Sequence, residues 1–129
     1  MIKFLWICLG GAIGTGARYL MSGWVLSMFG TSFPYSTLTV NLIGSFLIGT
    51  INYVGFNSEL ISPTYRIVLT TGVMGGFTTY SSFNYETLQY FQEGIWFLGI
   101  LNLLVMVLTC LTAGVLGFIA AKGLVGGFA

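Results

Sequence analysis

Charged residues are scarce in this sequence. They make up 5% of its 129 residues, whereas soluble domains carry roughly 25%. Hydrophobic residues make up 56%, so water cannot be the main solvent and the sequence predicts an integral membrane protein. A chain of this length suits one compact domain over 1–129, with no room for a separate catalytic domain.

The residue types that are missing exclude further classes. Histidine is absent and the net charge is +1, so neither a metal cluster nor a clustered basic face for nucleic acid is predicted. No nucleophile has a base beside it, which argues against an enzyme. Cys8 and Cys110 lie inside apolar stretches and are interpreted as small buried residues rather than a disulfide pair.

Four stretches are long and apolar enough to cross a membrane, since a transmembrane helix needs about 20 such residues. They predict helices over about 4–29, 36–56, 65–91 and 95–125. Turn-forming residues separate them, notably Pro34, Pro63 and Gly94. The predicted fold class is therefore an all-α integral membrane protein with four transmembrane helices.

The few charged residues indicate how the chain is oriented in the membrane. Four crossings place both termini and the middle loop on one side of the membrane, together with Lys3, Arg66 and Lys122. The positive-inside rule then favours cytoplasmic termini. Because the bias is slight, it permits insertion in both orientations, and we hypothesise that two copies assemble antiparallel.

The third segment combines glycines with hydroxyl and aromatic residues in the run Gly75-Gly76-Phe77-Thr78-Thr79-Tyr80-Ser81-Ser82-Phe83. Clustered glycines permit a break, which we predict near 75–79; irregular backbone at membrane depth survives only beside protein or a watery cavity. The hydroxyls of Thr79, Ser81 and Ser82 can replace part of an anion's hydration shell. The alternative is that these small residues merely let helices pack closely.

Three further polar side chains lie within the apolar segments. The amide of Asn41 can donate to an anion, or it can hydrogen-bond to a neighbouring helix. Arg18 can attract anions to a pore mouth, or it can snorkel to lipid phosphates. Glu86 can pair with Arg18 or face a vestibule, although a solvated or ion-paired structural carboxylate is the simpler interpretation.

Together these motifs resemble the Fluc/CrcB family of fluoride ion channels over nearly the whole chain. The similarity rests on Gly10-Gly11 with Gly14, on Arg18-Tyr19, and on residues 37–44 and 75–83. It implies a passive channel in the plasma membrane that exports fluoride and confers fluoride resistance. It also implies an antiparallel, dual-topology homodimer with two pores and a structural sodium ion (Na+) at the centre of the interface.

The resemblance further implies roles for individual residues. The fluoride pore would be lined by Asn41, Tyr80, Ser81 and Phe83, together with the neighbouring hydroxyl residue Thr79. Aromatic ring edges carry partial positive charge that can meet an anion. The backbone carbonyls of Gly75 and Thr78 would bind the sodium ion. Arg18 matches the family's arginine near the vestibule, where we also place Glu86.

Two features depart from the family pattern. Tyr80 stands where the family usually has a phenylalanine, and its added hydroxyl can donate to fluoride, hold the ion too tightly or narrow the path. In the fourth segment, Met106, Cys110 and Gly114 share one helix face at four-residue spacing. The family often has polar side chains on that face, so both features bear on permeation.

Three alternatives stay open. Degenerate pore positions would suit one subunit of a channel that is built from two unlike, homologous subunits. A small proton-coupled multidrug exporter has a similar size, but it needs a carboxylate at membrane depth, and Glu86 is the only acid inside any segment. A non-transporting assembly subunit would explain the packing glycines but not the chemistry of Asn41 and residues 78–83.

Overall fold

A computed structural model describes residues 1–126, and within them it shows helices and connecting turns but no strand. The prediction of an all-α protein is confirmed for this part of the chain. Its elements, in chain order, are α1 (Ile2–Phe29), α2 (Tyr35–Asn57), α3 (Pro63–Ile67), the π-helical segment Val68–Met74, α4 (Gly75–Phe77), α5 (Tyr80–Gln92) and α6 (Trp96–Gly126).

Three of these helices, α1, α2 and α6, are long and apolar enough to cross a membrane. Their ends lie within two residues of the predicted ones. Helix α1 stops at Gly30, whose φ of 76° lies in the left-handed region that glycine adopts readily. Many large apolar side chains on the three helices are exposed, as expected for surfaces that face lipid.

The third predicted segment, 65–91, is built of shorter helical pieces. It begins at Pro63, after Ser62, whose hydroxyl accepts the N–H of Tyr65, and it is helical over 63–77. Thr78 (φ −86°, ψ 159°) and Thr79 (φ −149°, ψ 111°) are extended, and α5 follows them. Each helical piece is about 20 Å long, which is shorter than the hydrocarbon core of about 30 Å.

The glycines of this segment are not the extended residues. Gly75 has helical dihedral angles (φ −61°, ψ −38°), and Gly76 lies within α4. An added Cβ on Gly76 would overlap the carbonyl oxygen of Gly11 in α1. This glycine therefore serves close helix packing, and within the range 75–79, where a break was predicted, the extended residues are the two threonines.

Two close helix contacts organise the bundle. Helix α1 packs along the π-helical segment and α4, while α2 packs along α6 and α5 rests on α6. Glycines allow both approaches, because an added Cβ on Gly14 would overlap the Val73 carbonyl oxygen and one on Gly117 would overlap that of Phe46. A small buried core lies where α2 meets the third segment, formed by Val40, Met74 and Phe77.

We expect Gly14→Ala to lower the free energy of unfolding by about 1–3 kcal/mol, the usual penalty for overpacking, because the new methyl group meets the Val73 carbonyl. Gly16→Ala is the matched control, since nothing lies within 4 Å of its added Cβ. Thermal unfolding in detergent measures both variants. Equal melting temperatures would contradict this packing of α1.

Candidate functional site

The end of α4 is held by a side chain from α2. Asn41 is 8% exposed, and its Nδ2 donates to the Thr79 carbonyl over 3.0 Å. In return, the Thr79 N–H donates to Asn41 Oδ1 over 2.8 Å. The carboxamide thus pairs with both backbone groups of an extended residue, as a neighbouring peptide would.

Thr79 also starts α5. Its Oγ1 accepts the Ser82 N–H over 3.2 Å, which makes it the N-cap of that helix. The same hydroxyl donates to Ser82 Oγ over 3.1 Å and lies 3.5 Å from Ser81 Oγ. The three predicted hydroxyls therefore form one cluster at a helix N-terminus, the end whose dipole favours an anion.

An open groove of about 430 Å³ runs past this cluster. Its polar, aromatic and sulfur-bearing wall residues are Asn41, Ser45, Thr78, Thr79, Tyr80, Phe83, Met106 and Cys110. The rings of Tyr80 and Phe83 meet edge to face with centroids 5.7 Å apart, and Tyr80 is 76% exposed while Phe83 is buried. Four of the five predicted pore residues thus share the groove, and Ser81 lies outside it. Ser45, one helical turn from Asn41, was missed although that spacing places it on the same face.

The two predicted sodium ligands, Gly75 and Thr78, have lost their helical partners. In a continuous helix the Gly75 carbonyl accepts the Thr79 N–H, which instead donates to Asn41. The Thr78 carbonyl likewise accepts the Ser82 N–H, which instead donates to Thr79 Oγ1. Two carbonyl oxygens are thereby released from the helix, and these are suitable ligands for a hard cation such as sodium. The residues fit the predicted group.

The two predicted vestibule residues, Glu86 and Arg18, do not line the same cavity. Glu86 lines a cavity of about 850 Å³ between the end of α1, the start of α2 and α5. Its Oε1 accepts the Thr37 hydroxyl over 2.6 Å, while Oε2 is buried and unpaired within residues 1–126. Arg18 does not line this cavity, and its buried Nε has no partner in the same part of the chain.

A buried link between α6 and α5 was missed by the sequence analysis. Asn102, which is 1% exposed, donates from Nδ2 to Thr87 Oγ1 over 2.9 Å. The Thr87 hydroxyl in turn donates to the Phe83 carbonyl over 2.8 Å. The available signal was an asparagine inside the most apolar segment, since such a side chain must find a polar partner.

The three α6 residues that share one helix face at four-residue spacing fall into two environments. Met106 and Cys110 line the groove, with their sulfur atoms 3.7 Å apart. Gly114 instead lies at the contact with α2, next to Gly49. Cys110 is half-buried, whereas Cys8 is exposed on α1. The prediction that Cys8 is buried is wrong, because that side of α1 has no protein neighbour among the described residues.

Long apolar helices combined with a groove of hydrogen-bonding groups define a multi-pass membrane protein with a polar path, the class that includes channels and transporters. Within this class, the family described as CrcB-like protein, Camphor Resistance (CrcB), matches residues 5–118. The chain belongs to this family, and the resemblance drawn from the sequence is confirmed.

Several relatives share the name "Fluoride-specific ion channel FluC". The one from Sorangium cellulosum is 52% identical over 127 residues, which cover 98% of this chain and 100% of the relative. The one from Anaeromyxobacter dehalogenans is 48% identical over 126 residues, covering 98% and 100%. The one from Citrifermentans bemidjiense is 46% identical over 124 residues, covering 96% and 100%. The similarity therefore extends over the whole length of each relative.

We expect Thr79→Val to lower the free energy of unfolding by about 1 kcal/mol, the typical loss for an N-cap, because the Ser82 N–H loses its acceptor. Thr79→Ser keeps the hydroxyl and is the matched control. Thermal unfolding of both variants in detergent is the measurement. A valine variant as stable as the wild type would show that α5 does not depend on this cap.

Proposed function

We propose that this chain is a passive fluoride channel through which the ion leaves the cell down its electrochemical gradient, conferring fluoride resistance. The observation that carries the proposal is the groove, where hydroxyl, amide and aromatic edge groups meet without an Arg or Lys among the lining residues. Such groups can replace water around a small anion and still release it. The names of the relatives support the same ion, and a transport protein rather than an enzyme.

The groove needs a cover inside a membrane. Tyr80, Ser81, Asn84 and Tyr85 are all exposed on α5, and polar groups that face lipid are strongly disfavoured. A second copy of the chain, inserted antiparallel in the plasma membrane, covers this face in the proposed assembly. Each groove then becomes one pore with walls from both subunits.

The proposed path follows the interruption in the third segment. The helical stretch 63–77 and α5 together cross the membrane as one broken helix. A dehydrated fluoride ion passes along the groove by the rings of Tyr80 and Phe83, with Asn41 and Thr79 framing the path and the Ser81 hydroxyl beside the groove, 3.5 Å from Thr79 Oγ1. No energy input is needed, since one charge that moves through 100 mV releases about 2.3 kcal/mol.

A sodium ion is part of this proposal. The carbonyls of Gly75 and Thr78 would hold it at the dimer interface, and their release from helical hydrogen bonds supports that role. When bound, the ion would supply positive charge that joins the carbonyl dipoles of two antiparallel copies. The chain's own contribution is the pair of oxygens that the extended threonines leave free.

A channel of two unlike subunits is the second candidate. It is favoured by Met106 and Cys110, whose sulfur atoms line the groove where the family often has polar side chains. The multidrug exporter has no comparable support, because Glu86 hydrogen-bonds to Thr37 and the chain belongs to the CrcB family.

We expect liposomes that contain only this purified chain to lose fluoride rapidly and to retain chloride. Efflux of each ion is followed with an ion-selective electrode, and empty liposomes are the control. Fast, selective fluoride loss would support a self-sufficient channel. No fluoride loss from a folded dimer would sink the homodimeric channel and favour an unlike partner subunit.

We expect Tyr80→Phe to raise fluoride efflux by up to about tenfold, because removing one hydrogen bond to an ion lowers the barrier to its release by about 1.4 kcal/mol. Tyr85→Phe is the matched control, since Tyr85 is also exposed on α5 but does not line the groove. Unchanged efflux in Tyr80→Phe would show that this hydroxyl does not touch the permeating ion.

A further inference from the structure

The pairing of Asn41 with Thr79 crosses from one helix to the interruption of another. We propose that Asn41 is a positioning residue, whose carboxamide holds Thr78 and Thr79 in their extended conformation and so keeps the third segment open. It acts through the backbone of Thr79 rather than as a primary ligand of the anion. This inference rests on the proposed function for its role in transport.

The hydrogen bonds of the carboxamide support this assignment. One N–H of Asn41 donates to the Thr79 carbonyl over 3.0 Å, and the oxygen accepts the Thr79 N–H over 2.8 Å. The remaining contact of Nδ2 is with the Met106 sulfur at 3.5 Å, and a thioether is a weak acceptor. The strong bonds of this side chain therefore go to the N–H and the C=O of one residue, Thr79, and only the weak contact is available to a ligand.

These two hydrogen bonds between Asn41 and Thr79 are called the clamp below, and the backbone geometry shows what the clamp prevents. Without Asn41, the nearest helical partner of the Thr79 N–H is the Gly75 carbonyl, four residues earlier. That bond would extend α4 through Thr78 and Thr79. It would also remove the N-cap of α5, because an N-cap residue has non-helical dihedral angles. Asn41 thus keeps the Gly75 carbonyl free and the hydroxyl cluster of Thr79 in place.

A second buried asparagine provides a matched control. Asn102 is 1% exposed, compared with 8% for Asn41, and it also donates to a residue of the third segment. Its partner is the hydroxyl of Thr87, two turns into α5, and not the backbone of Thr79. Leucine has the same branched side-chain shape as asparagine but no polar atoms and a larger volume, so Asn41→Leu and Asn102→Leu each remove one buried amide without opening a cavity.

The sequence allows the Thr79 amide to be observed almost alone. The chain contains two Thr-Thr peptide bonds, Thr70–Thr71 and Thr78–Thr79. If threonine carries 13C in the carbonyl and 15N in the amide, an NMR spectrum that correlates each N–H with the preceding carbonyl carbon shows these two signals. The first lies in the π-helical segment and serves as the internal reference.

We expect the Thr79 signal to move in Asn41→Leu, and its amide hydrogen to exchange with solvent at least about tenfold faster, equivalent to about 1.4 kcal/mol. The signal should be unchanged in Asn102→Leu. A signal that moves while exchange stays slow would mean that the helix has closed onto Gly75, which also supports the clamp. An unmoved signal with unchanged exchange would overturn the proposal.

Two further results would test the clamp. If both leucine variants release the Thr79 amide equally, the effect is general loosening and the clamp is refuted. If Asn41→Leu does not fold, the wild type decides, because a Thr79 amide that exchanges much faster than that of Thr71 contradicts the bond to Asn41. The spectrum can be recorded without any transport. If the clamp is intact but no fluoride efflux is found, the proposed function is refuted and the clamp is not.

Discussion

The absence of water from the hydrocarbon core is the constraint on which the rest of this structure depends. Every backbone N–H and C=O at that depth needs a partner within protein. Helices α1, α2 and α6 meet this requirement internally, but the third segment does not. At the interruption, Asn41 Oδ1 accepts the Thr79 N–H and the Thr79 hydroxyl accepts the Ser82 N–H, so both amides regain a partner. The carbonyls of Gly75 and Thr78 remain, and the proposed channel uses these oxygens.

Close backbone contacts bring the parts of the site together. Gly14 holds α1 against the first half of the third segment, and Gly117 holds α6 against α2. Asn41 lies on α2 and Met106 on α6, and Asn102 of α6 hydrogen-bonds to Thr87 of α5. Two walls of the groove therefore come from the packed pair of α2 and α6, and the third comes from the interrupted segment that begins with the helices packed on α1. Small shifts between the units would separate groups that are now within hydrogen-bonding distance, so the glycine contacts matter for the site as well as for stability.

Hydrophobic length alone predicted α1, α2 and α6 to within two residues, because the bilayer thickness sets the length of a crossing helix. The position of the extended residues was less predictable, since glycine permits irregular backbone without requiring it. The partner of Asn41 lies 38 residues away, and no spacing rule connects them. The same holds for Asn102 and its hydroxyl partner. The ion itself came from the family resemblance, because composition does not distinguish one small anion from another.

The sulfur atoms of Met106 and Cys110 can be reconciled with a channel that works without an unlike partner. A passive pore must bind its ion strongly enough to strip water and weakly enough to release it. In this groove the hydroxyl groups gather at the start of α5, where Thr79 and Tyr80 lie, whereas the α6 wall offers weakly interacting sulfur. An ion held at the hydroxyl cluster then meets a wall with little affinity for it, which favours departure. The sulfur-bearing residues of the α6 wall therefore do not by themselves imply a degenerate subunit.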